Sequence, residues 1–266
     1  MSKLVDKLQS LSKSSTPPIG FHPSVSELKK TAMLLIVGLS RAQVKEAKIV
    51  ADVNADAGLI SDQGLSATSV KQIIKVVGNI PMGVFVKDIS AGKIDEFVDL
   101  GCDFVIFDVK VASTILHKEE IGKILMIEPS LDQGFIRAIN SLEVDGVLIS
   151  RGGEEPFQGS GGTAPSATVA VEHLLVCRRF VELLEKPIMM TLPPSVTKTE
   201  LTSLWQAGVD GVVVSSAQSV ETLAELKKTI GDLPRGARGR RAKVGVMLPH
   251  YGGFVTAEED EDEEEI

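Results

Sequence analysis

Short apolar runs alternate with amphipathic segments along most of this chain. The apolar runs are rich in valine, isoleucine and leucine and predict strands at 31–39, 57–61, 81–88, 103–109, 123–129, 145–150, 187–192 and 210–216. Strands that are apolar at nearly every position are typical of parallel sheets buried on both faces. The intervening segments have helical spacing. They predict helices at 41–53, 66–78, 91–101, 113–122, 132–143, 167–185, 197–208 and 219–231.

Strands and helices that alternate eight times within about 200 residues predict an α/β fold, the (β/α)8 TIM barrel. A doubly wound open sheet is the alternative, and it is disfavoured because no GxGxxG motif follows the first predicted strand. We expect the barrel to span 31–232. An N-terminal helical extension is expected over 1–30, a C-terminal extension over 233–256 and a disordered acidic tail over 257–266.

The even-numbered strands resemble one another. Each begins at an aspartate, and these are Asp56, Asp103, Asp145 and Asp210. The interval between the last two is longer than the others by about the length of 151–167, which indicates an insertion into a repeat of two βα units.

The residue types after these aspartates predict which side chains point into the barrel. Side chains alternate between the two faces of a strand, and small residues fit a crowded barrel interior, so we expect the first, third and fifth residues to point inward. The fifth residues are Ser61, Asp108, Ser150 and Ser215. They predict a polar layer near the carboxyl-terminal mouth, where barrel enzymes place their active sites. The alternative is that they only cap the strands through local hydrogen bonds.

Further ionisable residues follow the predicted strands. Lys110 follows the fourth strand with inward parity, Lys87 ends the third, Glu128 ends the fifth and Arg151 follows the sixth. A lysine beside acids in a desolvated mouth is a candidate general base or Schiff-base nucleophile, with Asp108 and Glu128 as proton-transfer partners. The same lysines could instead bind a phosphate or carboxylate, or be solvated or paired without a function.

The segment SVTKTELTSLWQAGVDGVVVSSAQSVETL, at 195–223, resembles the strand 7 to helix 8 region of aldolase-type TIM barrels. That group includes ribulose-phosphate-binding and thiamine-phosphate synthase-like barrels, which hold phosphate on a glycine-rich loop after strand 7 and a Gly-Ser pair after strand 8. Here the corresponding residues are Leu-Pro-Pro-Ser at 192–195 and Ser-Ser-Ala at 215–217. Proline removes N–H donors. The resemblance therefore implies an anion site that depends on the hydroxyls of Ser215 and Ser216 and on a helix N-terminus.

The insertion RGGEEPFQGSGGTAPSA, at 151–167, is a second candidate anion site. Its glycines and the helix predicted after it would present N–H groups to an anion, with Thr163 or Ser166 capping that helix. The candidate ligand residues are Arg151, Gly152, Gly153, Gly161, Gly162 and Thr163. The insertion also resembles the glycine-rich segment of nitronate monooxygenase-like flavoproteins, which implies an FMN phosphate near 152–163 and 215–217. The alternative is a flexible surface segment.

Composition narrows the class of protein. Hydrophobic residues make up 43% of the 266 residues, yet no apolar run is long enough for a membrane-spanning helix or a signal peptide, so we expect a cytoplasmic protein. Cys102 and Cys177 are expected to be reduced core thiols, and the scattered histidines argue against a metal site. The net charge of −8 and the absence of a basic face with aromatic residues argue against nucleic-acid binding.

Three functions remain open, because barrels host many chemistries. The first is an enzyme of lyase or isomerase type that acts on a small anionic metabolite, phosphorylated or not. The second is a non-catalytic barrel for binding or assembly, which the altered phosphate loops favour. The third is an FMN-dependent oxidoreductase. Many barrels form homo-oligomers, and the sequence specifies no surface for one.

Overall fold

The eight predicted strands form a closed parallel barrel. The computed structural model describes residues 2–13, 31–62, 65–87, 91–150, 168–193 and 196–234. The strands pair in chain order and the last closes on the first. They are β1 (Leu34–Leu39), β2 (Ala57–Ser61), β3 (Met82–Val86), β4 (Phe104–Asp108), β5 (Gly122–Ile127), β6 (Gly146–Ile149), β7 (Ile188–Thr191) and β8 (Gly211–Ser215). The predicted TIM barrel is confirmed, and the open sheet is wrong.

The helices largely follow the prediction. They are α1 (Lys3–Lys13), α2 (Val44–Asp52), α3 (Ala67–Val77), α4 (Ala91–Asp99), α5 (Gln133–Ala138), α6 (Val171–Leu183), α7 (Lys198–Ala207) and α8 (Val220–Gly231). The helix predicted over 113–122 is instead a short 3₁₀ turn, Ser113–His117, because β5 already begins at Gly122. The helix predicted over 132–143 is α5 followed by a 3₁₀ turn, Ile139–Ser141.

Helix α6 begins about one turn later than predicted, at Val171. The Val169 N–H donates to Glu200 Oε1 at 2.8 Å, and the next residue is still extended. This bond ties the chain to α7 before α6 can begin. The residue at the N-cap of α6 is Ala170, and Thr163 and Ser166, which were predicted to cap this helix, lie outside the described residues.

Side chains alternate between the two faces of the strands as predicted. The first and third residues after the aspartates include Ala57, Leu59, Phe104, Ile106, Leu148 and Val213, which pack together inside the barrel. The residues between them, such as Val105 and Val147, pack under the helices. The interior is tight at β3, where a Cβ on Gly83 would lie 2.3 Å from the Phe104 ring. Only glycine fits there.

Helix α1 closes the amino-terminal end of the barrel. Leu4, Leu8 and Leu11 lie on one face of the helix and join the interior cluster. A Cβ on Gly122, the first residue of β5, would lie 2.8 Å from the Val5 side chain. The helix of the N-terminal extension thus fills the floor of the barrel and extends its core.

Three of the four repeated aspartates bind the preceding strand. Each accepts a hydrogen bond at Oδ2 from a backbone N–H at the start of that strand: Asp56 from Leu35 at 2.8 Å, Asp145 from Lys123 at 2.8 Å and Asp210 from Ile188 at 2.9 Å. These bonds hold neighbouring strands in register at the amino-terminal end. The repeat that the sequence shows is therefore a structural device of the barrel.

The remaining aspartate, Asp103, binds α1 and not a strand. Its carboxylate accepts the Ser2 hydroxyl at 2.7 Å and the N–H groups of Lys3 and Leu4 at 2.7 and 2.9 Å. These N–H groups lie in the first turn of α1, where backbone N–H groups have no hydrogen-bond partner within the helix. Asp103 thus caps the helix from a strand that is distant in the sequence.

The Ala-Gly-x-Asp motif that supports the sequence resemblance is also architectural. Gly208 ends α7 in the left-handed conformation, with φ of 100°. Asp210 then accepts the Ile188 N–H described above. The motif thus returns the chain from α7 into β8.

Both cysteines are free and buried, as predicted. Burial raises the pKa of Cys102 and of Cys177 to about 12, which makes both thiols poor nucleophiles. None of the helices in the described ranges is long and apolar enough to cross a membrane.

Candidate functional site

A pocket lies at the mouth of the barrel, at the carboxyl-terminal ends of β3 to β6. Its volume is about 490 Å³. The polar residues that line it include Lys87, Asp108, Lys110, Glu128 and Ser150. The four residues predicted to be catalytic and one predicted to bind substrate therefore share one cavity. It lies at the end of the barrel where TIM-barrel enzymes bind their substrates.

Lys87 and Lys110 present two ammonium groups to the pocket. Both side chains are exposed. Within the part of the chain that the structure describes, neither Nζ has a hydrogen-bond or ion-pair partner. Two cations that lie beside a cavity and have no partner among the described residues are available to an anionic ligand.

Asp108 is half-buried and shapes the turn that carries Lys110. Its Oδ1 accepts the Lys110 N–H at 3.1 Å, and its carbonyl oxygen accepts the Val111 N–H at 3.1 Å. Strand β4 ends at Asp108, so Lys110 reaches the pocket from a turn and not as the inward-pointing strand residue that parity predicted.

Glu128 follows β5 directly and is exposed. Its Oε2 accepts the Ser130 hydroxyl at 3.3 Å, and its carbonyl oxygen accepts the Leu131 N–H at 3.2 Å. One carboxylate oxygen is thus oriented by a neighbour. This arrangement suits a group that takes a proton from a bound ligand, because proton transfer requires a positioned base.

Apolar side chains form part of the pocket wall. They are Val109, Met126, Ile127 and Leu131. They were not predicted from the sequence, although Met126 lies on β5 two residues before Glu128 and therefore shares its parity. Val109 is 59% exposed, a high value for a valine beside a cavity. A ligand in this pocket would meet charge on some sides and hydrocarbon on another.

Ser215 and Ser216 lie at the end of β8 and do not line this pocket. Ser215 Oγ lies 3.0 Å from Ser40 Oγ and accepts the Ala217 N–H at 3.2 Å. Ser216 Oγ accepts the Ser40 N–H at 3.3 Å. These groups join β8 to the loop after β1, and a phosphate would have to displace them. The described residues at 215–217 therefore do not fit the FMN phosphate implied by the resemblance.

Of the remaining predicted site residues, one lies away from the pocket and six lie outside the described part of the chain. Ser61 is buried at the end of β2 and does not line it. Arg151, Gly152, Gly153, Gly161, Gly162 and Thr163 lie outside the described residues. The predicted polar layer is therefore divided, since Asp108 and Ser150 line the pocket whereas Ser61 and Ser215 do not. No cluster of three or more His, Cys, Asp or Glu side chains that could hold a metal ion occurs within the described ranges.

Comparisons with known proteins support the fold. No family model and no curated protein matches the sequence. A protein from Aquifex aeolicus VF5 has a similar structure, with a TM-score of 0.56 and 14% identity, covering 87% of this chain and 98% of that one. A tryptophan synthase α-subunit from Pyrococcus furiosus is similar with a TM-score of 0.53 and 14% identity, covering 76% of this chain and 98% of that one. Thiamine phosphate pyrophosphorylase from Pyrococcus furiosus is similar with a TM-score of 0.54 and 15% identity, covering 77% of this chain and 98% of that one.

At such identities the similarity establishes the fold alone. The TIM-barrel architecture that the sequence predicted is thus confirmed.

Proposed function

We propose that this barrel is an enzyme that binds a small anionic metabolite in the mouth pocket and moves a proton at it, in lyase or isomerase chemistry. One observation supports the proposal: two ammonium groups without a described partner and two carboxylates surround a single cavity of about 490 Å³. A purely structural barrel has no need of such convergent charges. The similar folds of tryptophan synthase α-subunits and thiamine phosphate pyrophosphorylase add that this architecture is used by enzymes.

Lys87 and Lys110 bind the anionic group of the substrate. Both are exposed at the rim of the pocket, and an exposed ammonium group can contact a carboxylate or phosphate directly. This role fits two exposed side chains better than Schiff-base chemistry, for which a lysine is usually desolvated in an apolar pocket.

Glu128 is the proton-transfer group, and Asp108 positions the anion-binding Lys110. The Glu128 carboxylate is held through Ser130 at the pocket wall. Asp108 uses one carboxylate oxygen to hold the turn that carries Lys110, so its first function is to place that lysine. Ser150 is buried and lines the same pocket, so its hydroxyl is suited to bind a polar atom of the substrate.

Exchange of carbon-bound protons tests the proposal without knowledge of the substrate. The full chain is incubated in D₂O with a panel of small phosphorylated ketoses and 2-oxo acids, and NMR follows deuterium incorporation next to the carbonyl. We expect exchange in at least one compound. The Glu128→Gln variant should slow it by about 10²- to 10⁴-fold, the usual contribution of general acid–base catalysis. Glu119→Gln, an exposed residue outside the pocket, should leave the rate unchanged.

Other outcomes would favour the alternatives. A protein that binds inorganic phosphate but exchanges no proton in any compound would act as a binding barrel. Purified protein that retains FMN would favour the oxidoreductase. Borohydride trapping of an adduct at Lys110 or Lys87 would replace anion binding by that lysine with Schiff-base chemistry.

A further inference from the structure

Arg179, on α6, forms hydrogen bonds with the loop that follows Glu128. Its Nη2 donates to the carbonyl oxygen of Pro129 at 3.0 Å and to that of Leu131 at 2.5 Å. These carbonyl groups flank Ser130, whose hydroxyl orients the Glu128 carboxylate. A single cation thus holds both sides of the residue that contacts the proposed proton-transfer group.

The other hydrogen bonds of this loop to residues that the structure describes are local. The Leu131 N–H returns to the Glu128 carbonyl oxygen, and Asp132 Oδ1 accepts the Gly134 N–H at 2.7 Å at the start of α5. Such bonds shape a turn but do not fix its position relative to the barrel. Arg179 supplies hydrogen bonds that join the loop to a different helix.

The guanidinium of Arg179 is itself held in place. It lies 5.2 Å from the centroid of the Phe180 ring, and Phe180 is fully buried. Its Nε is buried and has no partner within the described part of the chain. Hydrogen bonds from a charged donor are stronger than those between neutral groups. The half-buried cation is therefore well suited to hold two backbone carbonyl groups.

We propose that Arg179 is a positioning residue for Glu128. By fixing the backbone at 129–131, it keeps the Glu128 carboxylate directed at the pocket. The proposal rests on the proposed function of Glu128. Arg179 does not line the pocket and acts through the loop. It should affect the chemical step more than the binding of the anion, because Lys87 and Lys110 follow β3 and β4, whereas the loop that Arg179 holds follows β5.

The kinetic test compares Arg179→Gln with Arg178→Gln, an exposed neighbour on the same helix. With the substrate that exchanges fastest, we expect Arg179→Gln to lower kcat about 10- to 100-fold, the effect of a small misplacement of a catalytic group. KM should change by less than about threefold, and Arg178→Gln should resemble the wild type. A KM increase as large as the kcat loss, or no loss at all, would overturn the proposal.

A second pair of variants covers the case in which Arg179→Gln does not fold. Arg179→Lys retains a cation that can reach one carbonyl oxygen and should keep part of the lost kcat. Arg179→Ala should regain activity when guanidinium is added at low millimolar concentration. Absence of partial activity in the first, together with no rescue of the second, would argue against positioning.

Amide hydrogen exchange separates this proposal from the proposed function. The Leu131 amide is bonded within the loop, and its exchange should accelerate in Arg179→Gln but not in Arg178→Gln. Unchanged Leu131 exchange in an active enzyme would overturn the role of Arg179 alone. Faster Leu131 exchange in Arg179→Gln, together with a wild type that catalyses no exchange in any compound, would overturn the proposed function and the positioning role with it.

Discussion

The two ends of this barrel carry similar charged side chains in opposite circumstances. At the amino-terminal end, the Asp103 carboxylate accepts three hydrogen bonds, and Lys227 Nζ lies 2.6 Å from Asp56 Oδ2. At the mouth, Lys87 and Lys110 have no partner within the described residues. Satisfied charges hold a fold together, whereas charges that converge on a cavity without partners are available to a ligand.

The difference has a physical cause at each end. Helix α1 covers the amino-terminal end with leucines, so a polar group there loses water and must find a protein partner. The mouth pocket keeps its lysines exposed, and water can solvate them until an anion binds. The same residue types therefore serve structure at one end and recognition at the other.

Truncation of Leu8 should give the largest effect on the amino-terminal end. Leu8→Ala should lower the free energy of unfolding by about 2–5 kcal/mol, because it leaves a cavity under a fully buried side chain. Chemical denaturation measures the change. Leu175→Ala, at a site 65% exposed, should cost less than about 0.5 kcal/mol. Binding of inorganic phosphate at the mouth should be unaffected, and a matching loss of binding would show that the ends are not independent.

Removal of the Asp103 carboxylate should destabilise the fold less. Asp103→Ala leaves the Lys3 and Leu4 N–H groups without their partner, so we expect a loss of about 1–3 kcal/mol in the free energy of unfolding. Asp95 is the matched control, since its carboxylate pairs with Lys118 on the surface. Asp95→Ala should cost less than about 1 kcal/mol. Equal losses in thermal or chemical unfolding would contradict the structural role of Asp103.

Removal of a lysine at the mouth should affect binding and leave stability unchanged. Lys110→Met should raise the Kd for inorganic phosphate about 10-fold, equivalent to about 1.4 kcal/mol. Lys71→Met, on the exposed face of α3, should not change it. Isothermal titration at two salt concentrations provides the measurement, and added salt should weaken binding to the wild type. A Lys110 variant that unfolds more easily but binds phosphate normally would show that this lysine serves stability and not recognition.

Glu200 offers a carboxylate near the mouth that does have partners. Its pKa lies below the ordinary value because it accepts the Thr197 N–H and hydroxyl, at 2.7 Å each, and the Val169 N–H. A lowered pKa means that the ionised form stabilises the fold. That contribution is complete above the ordinary pKa of 4.5 and is lost as pH falls through the lower folded value.

Replacement of Glu200 should therefore change the free energy by the smallest amount among the four substitutions, at Leu8, Asp103, Lys110 and Glu200. Glu200→Gln should cost up to about 1 kcal/mol at pH 7, the usual contribution of a helix cap. It should also reduce the loss of stability on acidification, measured by denaturation between pH 7 and pH 3. Glu143→Gln, an exposed residue, serves as the control. An acid response equal to that of the wild type would show that the Glu200 bonds contribute nothing.

Much of the mouth was predictable because parallel strands end at one edge. Asp108 and Glu128 come at the ends of neighbouring strands, so their proximity follows from strand order once the barrel is recognised. The hydrogen-bond partner of Ser215 was not predictable. Its hydroxyl contacts Ser40, which comes from the other end of the barrel sequence, and no local pattern links the two.

Arg179 and the start of α6 show the same limit. The periodicity of α6 indicates which residues face the core, but not that Arg179 reaches the carbonyl groups of Pro129 and Leu131. Glu200 delays the start of α6 through a bond to Val169 across 31 residues. Backbone partners of this kind carry no signature in residue type.

The order of residues along the chain was sufficient to specify eight strands, their inward faces and the repeated aspartates, because these depend on local periodicity and on which side chains fit a crowded interior. Folding in three dimensions selected the partners. It led Asp103 to cap α1 while the other three aspartates bind strands, and it left Lys87 and Lys110 beside a cavity. The reason is that hydrogen-bond partners and burial depend on which distant segments meet, and identical residue types acquire different roles according to that environment.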